Sequence, residues 1–221
     1  MLSIRISETI RRLWPDTAIG ALTAQVAVHE SPETLKNELH SIDQQIKESF
    51  RLDQISSIPE IRAGRKAYKT FGKKPARYRL SSEALLRRIL KDQGIQPVNN
   101  IVDINNVVSL VSRFPICAFD LDHVHPPVAF TLGGKEDEYE GIGRGRLNIE
   151  NLPVFSDRKG KFGSPTSDSE RVKITGQTQK LSMNIISFSG TDSLKEHLAN
   201  LESYLIRFAE AKDIEHQLVT V

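Results

Sequence analysis

The spacing of apolar residues shifts from mostly helical to alternating at Pro115, and that change limits the fold more than any other feature. Before Pro115, most apolar residues recur every three or four positions, the period of a helix with one buried face. The stripe Leu35, Leu39, Ile42, Ile46 and Phe50 is the longest, and Ser31 as N-cap, Pro32 at the first helical position and Glu33 at the positive end fit its start. A second helix is predicted from 57–59 to Gly72, and a loop around Pro75 fills 73–80. A third helix runs from Ser81 as cap to Gly94, and a fourth from Asp103 as cap through Val111. The exception is 18–28, AIGALTAQVAV, whose weak alternation predicts a strand.

After Pro115 the pattern is alternation in short runs, predicting strands at 115–121, 127–132, 147–155 and 180–188 between loops rich in Gly, Asp and Ser. A last helix is predicted from Thr191, with Leu194, Leu198, Leu201, Leu205 and Phe208 on one stripe. Helices first, strands later and a closing helix predict an α+β fold, a mixed sheet flanked by helices, rather than alternating α/β. With 221 residues, no internal repeat and no Pro- or Ser-rich linker, the chain is expected to form a single domain over 1–221.

The lone cysteine, Cys117, excludes an internal disulfide and a Cys-rich zinc module. No apolar run approaches the roughly 20 residues of a membrane span, and the first residues lack the apolar stretch and cleavage site of a signal peptide. The expectation is a cytoplasmic protein with no membrane partner.

The net charge of +2 conceals a strong polarity. Residues 62–91 hold eleven Lys or Arg against one acid, Glu83, a net of +10, so the rest of the chain carries −8. Within 64–79, GRKAYKTFGKKPARYR, cations interleave with Tyr68, Phe71 and Tyr78. Ile61, Gly64, Tyr68 and Phe71 can share the buried face of the second helix, which turns Arg62, Arg65, Lys66 and Lys69 outward. Lys73, Lys74, Arg77 and Arg79 follow on the loop. A basic block on an otherwise acidic chain fits a polyanion held on one side, against the plainer reading of a solvated helix face. Nothing has the spacing of a helix-turn-helix or zinc finger, so DNA is not expected.

Few residues announce chemistry. Cys117 lies in the apolar run PICAFD, where packing is the ordinary role. His123 and His125, near Asp120 and Asp122, are two weak metal candidates against a plain turn at Pro126 and Pro127; no metal is assigned. The glycines of GIGRGR (141–146) neither follow a strand nor open a helix, so they fail the dinucleotide fingerprint and read as a hairpin turn. No cofactor is expected. The segment 162–171, FGSPTSDSER, gathers Ser164, Thr166, Ser167 and Ser169 around Asp168 and Glu170, and reads equally as a polar pocket or an exposed turn.

Together these motifs resemble a known family. VDINNVVSLVSRFPICAFDLDHV (102–124) is similar to the core motif of the tRNA-binding and editing module of the phenylalanyl-tRNA synthetase β subunit, VD-x-x-N, a helical stretch, then P-x-x-x-FD-x-D. Val102, Asp103, Asn106, Pro115, Phe119, Asp120 and Asp122 meet it. The runs 64–90 and SPTSDSER (164–171) look like those of freestanding relatives of the module, and the resemblance covers about 55–190. The N-terminal strand and helix (1–55) and a C-terminal helix over 191–215 are expected to pack on that core.

The resemblance implies an α+β fold with a mixed sheet and a pocket that hydrolyses tyrosine wrongly attached to phenylalanine tRNA. It also implies water attack on the ester carbonyl, assisted by the terminal ribose hydroxyl, with the protein positioning the ester and selecting the amino acid. The partner it implies is tRNA, through its aminoacylated 3′ end. The family motif often reads PLHAFD, with its histidine in the editing site; Cys117 stands there in this chain, and a thiol replaces imidazole as a proton carrier only with a lowered pKa. Asp168 and Glu170 are the candidates for the selecting carboxylate. The expected pocket is Asn106, Cys117, Asp120, Thr166, Asp168, Ser169 and Glu170, with Asn106 and Asp120 equally placed to brace the fold. The tRNA surface is expected at Arg62, Arg65, Lys66, Lys69, Lys73, Lys74, Arg77 and Arg79. A deacylase acting in trans, a non-catalytic tRNA or amino-acid binding module, and an enzyme on another small ester or amide remain open at this level.

Overall fold

A computed structural model describes residues 2–221. The helices are α1 (Glu8–Leu13), α2 (Glu33–Ser49), α3 (Pro59–Thr70), α4 (Ser81–Ile89), α5 (Asn100–Ser112) and α6 (Leu194–Ala209). The strands are β1 (Ile4–Ile6), β2 (Ala18–Gln25), β3 (Ile116–Asp120), β4 (Val128–Leu132), β5 (Glu138–Gly141), β6 (Gly145–Asn148), β7 (Pro153–Asp157), β8 (Gly160–Gly163), β9 (Lys180–Ser187) and β10 (Lys212–Thr220). The fold is α+β, as expected, but its strands are divided. One sheet has the order β1-β4-β7-β8, with β1 parallel to β4; a second, antiparallel, has the order β10-β2-β9-β3; β5 and β6 form a separate hairpin.

The second sheet lies between two cores, and strand alternation assigns its side chains. Leu22, Ala24, Ile116, Met183 and Ile185 face a layer built from α2, α4, α5 and α6. Ile19, Ala21, Cys117, Phe119 and Ile186 face the first sheet. There Phe119 meets Phe155 and Phe162 edge to face, with ring centroids 5.2 and 4.9 Å apart. Such pairs fix ring orientation as well as burying area.

Several termini differ from the sequence expectation. Pro32 is the N-cap of α2, and the Ser31 hydroxyl instead donates to Asp103 at 2.5 Å. Asp103 is no cap: Asn99 caps α5 by accepting the Val102 N–H, and Asp103 sits buried one turn in, tying α5 to the start of α2. Leu80 precedes α4 where Ser81 was expected as cap, and α6 begins at Leu194 rather than Thr191. The expected helix over 191–215 stops at Ala209, and β10 follows as an edge strand beside β2. The run 147–155 divides between β6 and β7. Gly72 does end α3, at φ +89°, where a side chain would be strained. Among the described residues no helix is long and apolar enough to cross a membrane.

Candidate functional site

The 164–169 segment is a tightly tied loop rather than an open turn. The Ser164 hydroxyl donates to the Ser167 carbonyl at 2.9 Å, and the Tyr139 hydroxyl reaches the same carbonyl at 2.6 Å. The Tyr68 hydroxyl and Thr166 Oγ1 share a hydrogen bond at 3.0 Å. Gly163 permits the approach of this loop to β3, because a Cβ there would stand 2.5 Å from the Phe119 ring and 2.9 Å from Asp168 Oδ1.

These ties aim Asp168 at the free edge of β3. Its Oδ2 accepts the Ala118 N–H at 3.2 Å, and its Oδ1 accepts the Ser164 N–H at 3.2 Å. The Cys117 thiol is a further hydrogen-bond partner. Among the described residues no cation pairs with Asp168. Burial therefore outweighs the three hydrogen bonds and pushes its pKa up to about 7. Burial, and then the adjacent Asp168, likewise pushes the Cys117 thiol well above its ordinary value. Such a thiol is neither a thiolate nucleophile nor a proton carrier near neutrality.

Asp168 opens onto a pocket of about 220 Å³. Its walls are apolar: Val98, Val102, Ala118, Ile142 and Ile174. Asp103 positions Val98 by accepting its backbone N–H at 3.2 Å. Asn105 lies on the same face of α5 as Val102, and its Oδ1 is shielded from solvent without a hydrogen-bond partner. Lys173 completes the lining and pairs with Glu170 at 3.3 Å. An apolar sleeve with a carboxyl group near neutrality can accept or donate one hydrogen bond to the polar tip of a side chain.

Asn105 also borders a second compartment, a cleft of about 390 Å³ that Arg79, Arg87, Arg88, Lys91 and Arg144 line together with Asn106. No carboxylate lines it. Another cavity, of about 440 Å³ at the β2–β10 bulge, contains none of these groups.

The expected site residues are thus distributed unevenly. Asp168 is in the pocket, Asn106 is in the adjoining cleft, and Glu170 is exposed beside the pocket, holding Lys173 and accepting the Gly143 N–H. Cys117 lies buried beneath Asp168. Thr166 and Ser169 are buried in the loop itself, where Ser169 accepts the Arg171 N–H. Asp120 is buried and braces the turn after β3, accepting the Thr178 hydroxyl at 2.6 Å and the Asp122 N–H at 3.0 Å.

The basic block divides in the same way. Arg62, Lys66, Lys69, Lys74, Arg77 and Arg79 are exposed. Arg65 is bound to the buried Glu83 at 2.8 Å, and Lys73 is buried, its ammonium donating to Asn148 and Glu150 oxygens at 2.6–3.1 Å. Lys73 therefore anchors the hairpin and has no proton left for a phosphate. The pocket residues absent from the sequence reading come from four separate segments. Only Asn105 carried a local signal, its i,i+3 spacing from Val102.

Comparison with known proteins agrees with this architecture. A protein of Bacillus subtilis called YhzB, itself uncharacterised, is 23% identical over 193 residues, covering 87% of this chain and 86% of its own length. The phenylalanine–tRNA ligase β subunit of Fusobacterium nucleatum is 27% identical over 107 residues, 47% of this chain and 13% of the subunit. That of Malacoplasma penetrans is 24% identical over 106 residues, again 13% of the subunit. The crystal structure of an N-terminal fragment of the phenylalanyl-tRNA synthetase β subunit from Pyrococcus horikoshii matches with a TM-score of 0.50 and 12% identity, covering 99% of this chain and 54% of the fragment. At that identity the likeness is one of fold. Residues 63–215, well over half of the chain, match the B3/4 domain, so the chain belongs to the B3/4 domain family.

Proposed function

We propose that this protein binds the aminoacylated 3′ end of a tRNA and hydrolyses a mischarged ester in trans, with tyrosine on phenylalanine tRNA as the first candidate. The observation that carries this reading is the meeting of two unlike compartments at Asn105: an apolar pocket ending on Asp168, and a cleft lined by cations. A tyrosine side chain suits the first, since its ring matches the apolar walls and its hydroxyl finds a partner at the carboxyl group. In the reaction, water adds to the ester carbonyl and releases a proton. The neighbouring ribose hydroxyl relays that proton to the departing ribose oxygen as the ester C–O bond breaks, and the free amino acid and the tRNA hydroxyl are the products. The protein selects and positions; it needs no acid or base of its own for that sequence.

The second reading is a module that holds charged tRNA or an amino acid without turnover. The raised pKa of Cys117, where the family motif often carries histidine, favours it. Deacylation of tyrosine-charged and phenylalanine-charged tRNA at low and high salt separates the two. Selective hydrolysis of the tyrosine ester, weaker at high salt, is the expected result. Binding without hydrolysis supports the second reading, and neither binding nor hydrolysis overturns both.

A further inference from the structure

We infer that the cleft between α4, α5 and the β5–β6 turn is a seat for one phosphate group, that of the nucleotide bearing the ester. This rests on the tRNA reading for the identity of the nucleotide, but the seat itself rests on the cleft's own chemistry. Its cations come from two segments that the fold brings together: the stretch 79–91, with Arg79 before α4, Arg87 and Arg88 on it and Lys91 just after, and Arg144 in the distant hairpin turn. Among the described residues no carboxylate forms an ion pair with Arg79, Lys91 or Arg144. Arg88 spends only its Nε–H, on the Gly94 carbonyl at 2.6 Å.

Arg87 is held by a buried acid. Glu83, with a side chain 0% exposed, accepts Arg87 Nε at 2.8 Å and Arg65 Nη1 at 2.8 and 3.0 Å. Bonding through Nε leaves both terminal amino groups of Arg87, which lines the cleft, for a ligand, and such a fork matches two phosphate oxygens. Two guanidinium groups share that single carboxylate, so the local charge stays positive.

The uncharged groups follow the same order. Ser81 Oγ lines the cleft at the positive end of α4, is shielded from solvent and has no partner, so it has a hydrogen to donate to a phosphate oxygen. Asn105 Oδ1, also without a partner, borders both compartments and can accept from a sugar hydroxyl. Donors in the cleft, an acceptor at the boundary and an apolar pocket beyond it match the sequence phosphate, sugar, aminoacyl group. In an aminoacylated 3′ end one sugar separates the ester from the nearest phosphate, and one side chain separates the two compartments here. The exposed cations of α3 line neither compartment and reach only RNA farther from the ester.

The test is titration of the whole protein at low salt with adenosine, adenosine 5′-monophosphate, inorganic phosphate and the RNA trinucleotide CCA. Adenosine monophosphate is expected to bind about tenfold or more tightly than adenosine, the scale of one charge-assisted contact. Arg87→Gln with Arg144→Gln is expected to remove that advantage and to lower the salt slope for CCA by about one unit, whereas Arg62→Gln with Lys69→Gln on α3 leaves both unchanged. Arg144→Gln alone, on an exposed turn, keeps the test valid if Arg87→Gln disturbs α4. Competition by inorganic phosphate would place the recognition in the phosphate itself; without it, the nucleotide is the ligand, and both results support the seat. Equal binding of adenosine and its monophosphate, or an equal loss in the α3 variant, overturns the seat and leaves tRNA binding by another surface open. Monophosphate binding at the cleft with no binding of tRNA would keep the seat and overturn the tRNA reading.

Discussion

Asp157 and Asp168 flank the same strand, β8, yet they behave as opposite kinds of carboxylate. Burial would raise Asp157, but Arg171 grips it through two parallel bonds at 2.9 and 3.0 Å, and the His125 and Lys159 N–H groups add to the hold. Together they keep it below its ordinary pKa. Asp168 has comparable backbone bonds but, among the described residues, no cation partner, and burial lifts it to about 7. Arg171, three residues beyond Asp168, turns away toward Asp157 and the His123 carbonyl. One paired carboxylate fastens the loop; the unpaired one is left at the end of a pocket with chemistry near neutrality.

Breaking the clamp should have the largest effect. Arg171→Met leaves the Asp157 carboxylate with only its backbone N–H partners, and urea unfolding should register a loss of about 2–3 kcal/mol. A loss below about 1 kcal/mol would mean Asp157 relaxes into solvent and holds nothing.

The two aspartates also predict opposite slopes of stability with pH. Asp168 binds its proton more tightly folded than unfolded, so its contribution is complete below about pH 4 and is lost as pH rises toward about 7. Asp157 binds its proton less tightly when folded, so its contribution is present above pH 4 and is lost in stronger acid. Asp168→Asn should abolish the first slope alone, an effect of about 1–2 kcal/mol once solvent reaching the carboxyl through the pocket is allowed for. Urea midpoints measured from pH 4 to 8 would show it, and parallel profiles for variant and wild type would put the titration elsewhere.

The smallest effect is expected from Cys117→Ser. A hydroxyl donates more strongly than a thiol, so it should draw the Asp168 midpoint down by about half a unit in carboxyl carbon resonances. An unmoved midpoint would show that the residue at 117 does not touch Asp168 electrostatically.

Much of the fold was legible because long elements announce themselves by period. The α2 and α6 stripes and the β9 run are such cases, with many apolar residues fixing one face. The miss at β10 has the opposite cause. Lys212–Thr220 is a mostly exposed edge strand with little alternation, and its partner β2 lies near the other end of the chain. Asp103 misled as a cap because its signal is the same whether a carboxylate caps its own helix or reaches across to Ser31. In the site, Asp168 and Glu170 stood out together as the acids among hydroxyls, and only the fold separates them, Asp168 in the pocket and Glu170 exposed beside it; the hydroxyls are used to shape the loop. The pocket walls at Val98, Ala118, Ile142 and Ile174 left no local mark, since contact between distant segments has no period to read.

The most direct measurement is the affinity of stable, amide-linked tyrosyl-adenosine and phenylalanyl-adenosine for the wild type and for Asp168→Ala. A hydrogen bond to the tyrosine hydroxyl at Asp168 should favour the tyrosyl compound about tenfold or more in the wild type and bring the ratio near one in the variant. Equal affinities in the wild type, or a preference that survives Asp168→Ala, would contradict the assignment of Asp168 as the group that selects the amino acid.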